Sequence, residues 1–191
     1  KMTNNMLPSM HAAVLAAGVI GAQIAAHMAA AGIPVYLFDL VSSKGPRSSV
    51  AEQGRQRLLK LKPAPLASKA LIHGLTAMNF EDDLSRLSEC DLVIEAVAER
   101  MDIKRDLYAK VVPHLSERAI FASNTSGLSI TELAEVVPEK KRAHFCGVHF
   151  FNPPRYMHLV ELIPHPSTDQ VLLEQLEDFL TRRLGKGVVH A

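Results

Sequence analysis

Short apolar runs alternate along the chain with longer helical stretches. The longest helical patterns cover 18–31, 102–115 and 168–184, and glycines follow the first and the last of them. The apolar runs between them have the length of strands, and another strand begins near residue 188. This alternation predicts an α/β fold with a mostly parallel sheet covered by helices on both faces. The predicted strands are 12–15, 34–38, 91–97, 119–123, 145–151 and 159–163.

Composition indicates a globular protein and argues against a disordered or nucleic-acid-binding one. The chain has 191 residues, 48% of them hydrophobic, which suits one globular domain with a sizeable core and argues against disorder. Basic and acidic side chains nearly balance, 21 against 20, so the charge gives no reason to expect a nucleic-acid partner. Cys90 and Cys146 lie in apolar stretches, and we interpret them as reduced core residues of a cytoplasmic protein.

We expect neither a membrane-spanning segment nor a secretory signal. Residues 1–10 lack a long apolar segment followed by a cleavage site. The longest apolar run, near 12–31, is rich in alanine and is interrupted by glycines, Gln23 and His27, unlike a membrane-spanning helix. We predict no metal site.

One segment, 41–70, carries a strong positive charge. It contains seven basic residues and a single acidic one, Glu52. A solvated helical excursion from the sheet explains this charge, and a surface that meets a phosphorylated ligand is the alternative.

A turn of small residues follows the first predicted strand. Residues 16–21, AAGVIG, form a G-x-G-x-x-G dinucleotide fingerprint with alanine in its first position. Gly18 lets the backbone approach a diphosphate, and Gly21 lets the helix pack closely on the strand. The helix N-terminus offers free N–H groups and a partial positive charge to the phosphates. Ala16 costs about 1 kcal/mol or more if its φ is positive, and little if its φ is negative.

Asp39 supports this interpretation. It lies 18 residues after Gly21, at the end of the second predicted strand. A carboxylate there accepts hydrogen bonds from the adenosine ribose and repels a 2′-phosphate, which favours NAD over NADP. Lys44 and Arg47 lie close by in sequence and would weaken that preference. The alternative is a structural helix packed on a sheet, with Asp39 incidental.

Polar residues also lie at strand ends in the second half of the chain. His149 and Asn152 end one predicted strand, and Glu161 interrupts the apolar run of another. Because a buried carboxylate needs a partner, Glu161 bonded to one ring nitrogen of His149 would leave the other nitrogen to take a proton from an alcohol. Ser126 and Asn152 would then hold the oxygen that becomes a carbonyl. The alternatives are a structural histidine, a solvent-facing Glu161 and a helix-capping turn at 123–126.

Four segments carry a resemblance to a known family: AVLAAGVIGAQIAAHMAAAGIPVYLFDL, DLVIEAVAERMDIKRDLY, ASNTSGLSI and GVHFFNPPRYMHLVELIP. The chain resembles the NAD-binding domain of the L-3-hydroxyacyl-CoA dehydrogenases of fatty-acid β-oxidation, over residues 12–190. The forms PAPLAS, EAVAERMDIK and HFFNPPRYM are most similar to multifunctional bacterial enzymes that join this dehydrogenase to an enoyl-CoA hydratase.

The resemblance implies a Rossmann-type, doubly wound sheet and oxidation of a (3S)-3-hydroxyacyl-CoA to the 3-ketoacyl-CoA, with hydride transfer to NAD. His149 would be the general base and Glu161 its orienting partner. Ser126 and Asn152 would contact the substrate oxygen and the nicotinamide region. The NAD site implied in this way comprises Gly18, Val19, Ile20, Gly21, Asp39, Val97, Ala98, Glu99 and Lys104, together with Ser126 and Asn152.

The same resemblance implies features beyond this site. Residues 41–73 would form a helical hairpin that projects from the core towards the CoA moiety. A helical C-terminal domain would supply another substrate-facing asparagine and most of a homodimer contact. We expect the chain to stop before that domain and to turn over poorly alone. The alternatives are another NAD-dependent hydroxy-acid dehydrogenase and a non-catalytic NAD-binding module.

Overall fold

A computed structural model describes residues 10–191, so most of the segment expected to lack a signal, 1–10, lies outside the described residues. The strands are β1 Ala12–Leu15, β2 Val35–Asp39, β3 Leu75–Asn79, β4 Leu92–Glu95, β5 Ile120–Ser123, β6 Phe145–Phe150, β7 Leu159–Ile163 and β8 Gly187–His190. The α-helices are α1 Val19–Ala30, α2 Ser49–Arg57, α3 Met101–Val111, α4 Ile130–Val136 and α5 Gln170–Arg182.

All eight strands form one sheet in the order β3-β2-β1-β4-β5-β6-β7-β8. Every neighbouring pair is parallel except β6 with β7. The chain order reverses at β1, with β2 on one side and β4 on the other, and such a reversal opens a crevice at the carboxyl ends of the strands. The predicted doubly wound, mostly parallel sheet with extra C-terminal strands is confirmed.

Two apolar clusters pack on the opposite faces of the sheet. Ala12 and Val14 of β1 belong to one cluster, and Ala13 and Leu15 belong to the other, as expected for a strand buried on both sides. The first cluster includes the apolar sides of α1 and α5, and the second those of α3 and α4. Within residues 10–191, no helix combines the length and apolar character that crossing a membrane requires.

The segment 41–73, predicted to be a helical hairpin, is helical in two separate parts. The segment contains one α-helix, α2, and a later 3₁₀ helix at Lys69–Gly74. The intervening Pro63 and Pro65 lack the N–H groups that a continuing helix needs. Instead of projecting, α2 packs on the core, and its Ala51 and Gly54 are buried.

The sequence pattern also missed β3. This strand forms an edge of the sheet and pairs in parallel with β2 alone. Its Thr76 is exposed and its Asn79 is polar but buried, so the strand lacks the continuous apolar run that marks the central strands.

His27 of α1 is a partly buried ionisable group beside the turn between α5 and β8. Its Nε2 is buried with no hydrogen-bond partner among the described residues. Burial, followed by the positive charge of Lys186, lowers the pKa of His27 from 6.5 to about 4, although a backbone hydrogen bond at Leu184 opposes the shift. The folded domain therefore favours the neutral imidazole.

Stability should fall on acidification through this histidine. Between pH 6.5 and about 4 the unfolded chain binds more protons at His27 than the folded chain does. From pH 7 to pH 4.5, the wild type should lose ~1–2 kcal/mol more unfolding free energy than His27→Gln. Urea denaturation of both proteins at the two pH values measures this difference. Equal losses would show that His27 is not coupled to folding.

Candidate functional site

The turn after β1 holds the one non-glycine residue with positive φ in the described chain. Ala16 has φ of +103°, and its N–H donates to the Phe38 carbonyl at 2.8 Å. The more costly of the two alternatives for Ala16 therefore applies, because an L-residue in this region is strained by about 1 kcal/mol or more. Alanine occupies the position that glycine fills in the dinucleotide fingerprint.

The two remaining fingerprint glycines have different surroundings. A Cβ atom added at Gly18 would meet nothing within 4 Å, so this backbone faces open space. A Cβ at Gly21 would lie 2.0 Å from the Ala16 carbonyl oxygen, so only glycine permits this approach of α1 to the turn. Gly18 caps α1 without a side-chain hydrogen bond, and the first turn of α1 contains no acidic residue. The free N–H groups and positive end of α1 thus remain available to an anion.

Asp39 closes the turn from the end of β2. Its Oδ2 accepts from the Ala17 N–H at 2.8 Å, and its Oδ1 accepts from the Leu40 N–H at 2.7 Å. Each carboxylate oxygen retains a lone pair, so Asp39 can hold the turn and still accept from ribose hydroxyls.

A cavity of about 580 Å³ opens at the carboxyl ends of β1, β2 and β4. Ala16, Gly18 and Asp39 form one side, and Val97 and Ala98 lie on another. The surroundings fit a dinucleotide, since an open glycine backbone, a carboxylate able to accept from ribose hydroxyls and apolar walls meet in one crevice.

Lys104, expected to line this crevice, lies beneath it instead. Its side chain is fully buried, and its ammonium donates to Glu95 at 2.5 Å and to the Val97 carbonyl at 3.4 Å. The expectation of direct contact with NAD is therefore corrected, because Glu95 draws the ammonium into the interior.

Glu95, at the end of β4, is the centre of a buried polar cluster. Besides Lys104, it accepts from Ser123 Oγ at 2.8 Å, from the Val97 N–H at 3.0 Å and from the Tyr108 hydroxyl. Burial and the neighbouring Glu95 charge raise the pKa of Tyr108, which keeps its hydroxyl a donor. A fully satisfied cluster of this kind ties β4, β5 and α3 together.

Glu99, also expected to contact NAD, anchors the loop that carries Ser126. Its carboxylate accepts from Thr125 Oγ1 at 2.5 Å and from the Gly127 N–H at 3.1 Å. Partial burial raises the pKa of Glu99, but these hydrogen bonds and the Lys104 charge outweigh it and lower the pKa overall. Ser126 itself is exposed between the two anchored residues.

His149 and Glu161 meet across β6 and β7. They are directly paired in the antiparallel register, and His149 Nδ1 lies 3.5 Å from Glu161 Oε1. Both are partly exposed, His149 to 18% and Glu161 to 33% of the side chain, so the imidazole is open to an incoming molecule. The ring of Phe151 lies 4.6 Å from that of His149, centroid to centroid.

Asn152 lies just beyond β6 and contacts α1, where Gln23 Nε2 is 3.4 Å from its Oδ1. Lys186 holds the loop that follows, because its buried ammonium donates to the carbonyls of Pro154 at 2.5 Å and Met157 at 2.8 Å. The structure thus brings Asn152 beside the helix that begins at the fingerprint turn.

Sequence reasoning missed the Glu95 cluster, although a signal for it was present. Glu95 interrupts the apolar run of β4 just as Glu161 interrupts that of β7. A carboxylate inside an apolar strand needs partners, and Lys104 and Tyr108, nine and thirteen residues later, provide them from one helix.

Comparison with known proteins decides the family. A model of the family described as "3-hydroxyacyl-CoA dehydrogenase, NAD binding domain" matches residues 11–191. The chain belongs to this family. NAD is accordingly the cofactor of the domain.

Individual relatives agree with this assignment. A probable 3-hydroxyacyl-CoA dehydrogenase of Deinococcus radiodurans is 44% identical over 94% of this chain and 52% of the relative. A putative fatty acid oxidation complex trifunctional enzyme of Rickettsia felis is 40% identical over 92% of this chain and 25% of the relative. The solved 3-hydroxyacyl-CoA dehydrogenase of Archaeoglobus fulgidus superposes with a TM-score of 0.77 at 30% identity, over 95% of this chain and 56% of that one. The domain thus spans a quarter to a half of the length of these curated relatives.

Relief of the strain at Ala16 should not harm cofactor binding. Ala16→Gly is expected to leave the affinity for NAD unchanged or to tighten it by ~1 kcal/mol at most, because glycine adopts positive φ without a Cβ clash. Calorimetric titration with NAD⁺ measures the change. A clear weakening would mean that the alanine methyl is preferred in the bound turn.

Removal of the buried ammonium should strongly destabilise the fold. Lys104→Met leaves the Glu95 charge without its cation and should cost ~3–5 kcal/mol of unfolding free energy. Lys110→Met is the matched control on the same helix, since the exposed Lys110–Glu81 pair at 2.7 Å should contribute at most ~1 kcal/mol. Urea denaturation reports both values. Equal costs for the two variants would contradict a structural role of the buried pair.

Proposed function

We propose that this chain is the NAD-binding part of an enzyme that oxidises a (3S)-3-hydroxyacyl-CoA to the 3-ketoacyl-CoA. The single observation that carries this proposal is the His149–Glu161 pair, 3.5 Å apart on adjacent strands. His149 lies near the carboxyl end of β6, and the cavity beside Gly18 and Asp39 also lies at the carboxyl ends of parallel strands. Membership of the 3-hydroxyacyl-CoA dehydrogenase family supports the same substrate class.

Proton transfer falls to His149 in this mechanism. Glu161 accepts a hydrogen bond from Nδ1–H, which fixes the tautomer and leaves Nε2 unprotonated and free to take a proton. Nε2 removes the proton of the 3-hydroxyl group, and Glu161 stabilises the imidazolium that results. NAD⁺, when bound, accepts the hydride that leaves carbon 3 of the substrate.

Ser126 and Asn152 orient the reacting oxygen in this proposal. Ser126 is exposed on a loop anchored by Glu99, and Asn152 lies beside Gln23 on a loop anchored by Lys186. Side chains that are exposed on anchored loops meet the requirement that catalytic groups be held before substrate arrives.

Cofactor contacts are assigned to the fingerprint turn and its surroundings. Gly18, Val19, Ile20 and Gly21 present the N-terminus of α1 to the diphosphate, and Asp39 accepts from the adenosine ribose. Val97 and Ala98 line the opposite wall of the crevice, and Glu99 is assigned a place beside them. Lys104 positions this wall from the interior, through its hydrogen bonds to Glu95 and to the Val97 carbonyl.

The proposal places the domain in a larger protein. A helical C-terminal domain would complete the acyl-CoA cleft and supply most of a homodimer contact. An enoyl-CoA hydratase region in the same polypeptide is supported by the trifunctional relative of Rickettsia felis. A cytoplasmic location is supported by Cys90 and Cys146, which are both free and buried.

The enzymatic proposal is tested with acetoacetyl-CoA and NADH in a steady-state assay. The isolated chain should bind NADH but turn over poorly, and attachment of the C-terminal domain should restore turnover. Full activity of the isolated chain would refute the incomplete cleft. Turnover of small hydroxy acids in place of acyl-CoA would favour another hydroxy-acid dehydrogenase, and NADH binding without any turnover in the completed enzyme would favour a non-catalytic module.

His149→Gln should slow the chemical step of the completed enzyme by ~10²–10⁴-fold while NAD affinity stays nearly unchanged, because glutamine can neither take the hydroxyl proton nor return it to the keto oxygen in the reverse reaction. Single-turnover reduction of acetoacetyl-CoA measures this step. The control is His114→Gln, which alters an exposed histidine ahead of β5, at the opposite end of that strand from Ser126. A His149→Gln rate equal to that of the control would remove His149 from the mechanism.

A further inference from the structure

Helix α2 lies directly against the fingerprint turn. A Cβ atom added at Gly54 would approach the Ala17 carbonyl oxygen to 2.3 Å and the Ala17 Cβ to 2.7 Å. Such an approach is open only to glycine, so the backbone of α2 is in close contact with the turn. The basic segment 41–70 is thereby coupled to the NAD site rather than projecting from the core.

Arg57 extends this contact by one helical turn. Gly54 and Arg57 are three residues apart on α2 and therefore share a face. The Arg57 guanidinium donates to the Ala17 carbonyl at 3.1 Å, and the Ala17 N–H donates to Asp39 Oδ2 at 2.8 Å. The backbone of Ala17 is thus held on both sides by charged side chains, and hydrogen bonds to charged groups are stronger than those between neutral groups.

Ala16, the preceding residue, is the one that needs this support. With φ of +103° and a methyl group, it lacks the freedom of the glycine typical of the fingerprint. A strained backbone persists only where its surroundings over-determine it. We propose that Arg57 is a positioning residue for NAD binding: by holding the Ala17 carbonyl, it keeps the strained Ala16–Gly18 turn in the conformation that receives the diphosphate.

A neighbouring arginine provides a matched control. Arg55 has the same charge, lies on the same helix and also donates to backbone carbonyls, those of Leu75 at 2.9 Å and Ile72 at 3.2 Å. These acceptors belong to β3 and the preceding 3₁₀ helix, not to the turn. Arg55→Ala therefore reproduces the loss of charge and of structural hydrogen bonds without touching Ala17.

The experiment is a double-mutant cycle on NADH affinity. Wild type, Arg57→Ala, Ala16→Gly, the double variant and Arg55→Ala are each titrated with NADH by calorimetry, and their folding is checked by thermal denaturation. Arg57→Ala should raise the Kd of the wild-type chain ~5–10-fold. In the Ala16→Gly background the same change should raise the Kd by no more than ~2-fold, because glycine adopts the turn without support. Arg55→Ala should lower stability and leave the Kd unchanged.

The other outcomes overturn the proposal. An equal rise in Kd in both backgrounds would show that Arg57 acts on the bound nucleotide through its charge, not through the turn. A Kd unaffected by Arg57→Ala, or raised equally by Arg55→Ala, would show a purely structural role. The inference rests on the NAD site itself, and failure of the wild type to bind NADH would refute that site instead. Arg57→Gln, which keeps an amide donor, should give an intermediate Kd and covers the case in which Arg57→Ala does not fold.

Discussion

Parallel pairing of the strands places the proposed functional groups of the described residues at one end of the strands. The carboxyl ends of β1, β2, β4, β5 and β6 lie side by side, so Ala16, Asp39, Glu95 and Ser123 come together from distant parts of the chain. The single antiparallel strand, β7, runs back beside β6 and brings Glu161 opposite His149. The NAD crevice and the proposed proton-transfer pair are both consequences of this arrangement.

A buried charge supports that edge from beneath. Glu95 receives hydrogen bonds from β5 and α3 as well as from the backbone of Val97, so one carboxylate links the wall of the crevice to the strand that precedes Ser126. Glu99 continues the connection, because it anchors both neighbours of Ser126. Low dielectric makes such a network strong when it is complete and costly when one member is lost. The cofactor wall and the proposed catalytic loop therefore depend on the same interior group.

Patterns local in sequence could be predicted, and contacts distant in sequence could not. Apolar runs indicate the central strands. A lone carboxylate inside such a run, as with Glu161, indicates that a hydrogen-bonding partner lies nearby. Edge strand β3 has no such run. The packing of Gly54 on Ala17 and the burial of Lys104 produce no periodic pattern in the sequence. The φ of Ala16 is a further example, since the sequence allows either sign and only the path from β1 into α1 decides it. The resemblance implied a helical hairpin at 41–73, and the structure shows that a stretch with two prolines separates α2 from the later 3₁₀ helix.

The NAD crevice and the His149–Glu161 pair should form one site. A crystal structure of the domain with NAD⁺ tests it most directly. The diphosphate should lie over the backbone of Gly18, the adenosine ribose on Asp39 and the nicotinamide ring beside the imidazole of His149. A nicotinamide ring bound out of reach of His149, or an imidazole turned away from Glu161 in the complex, would contradict the account.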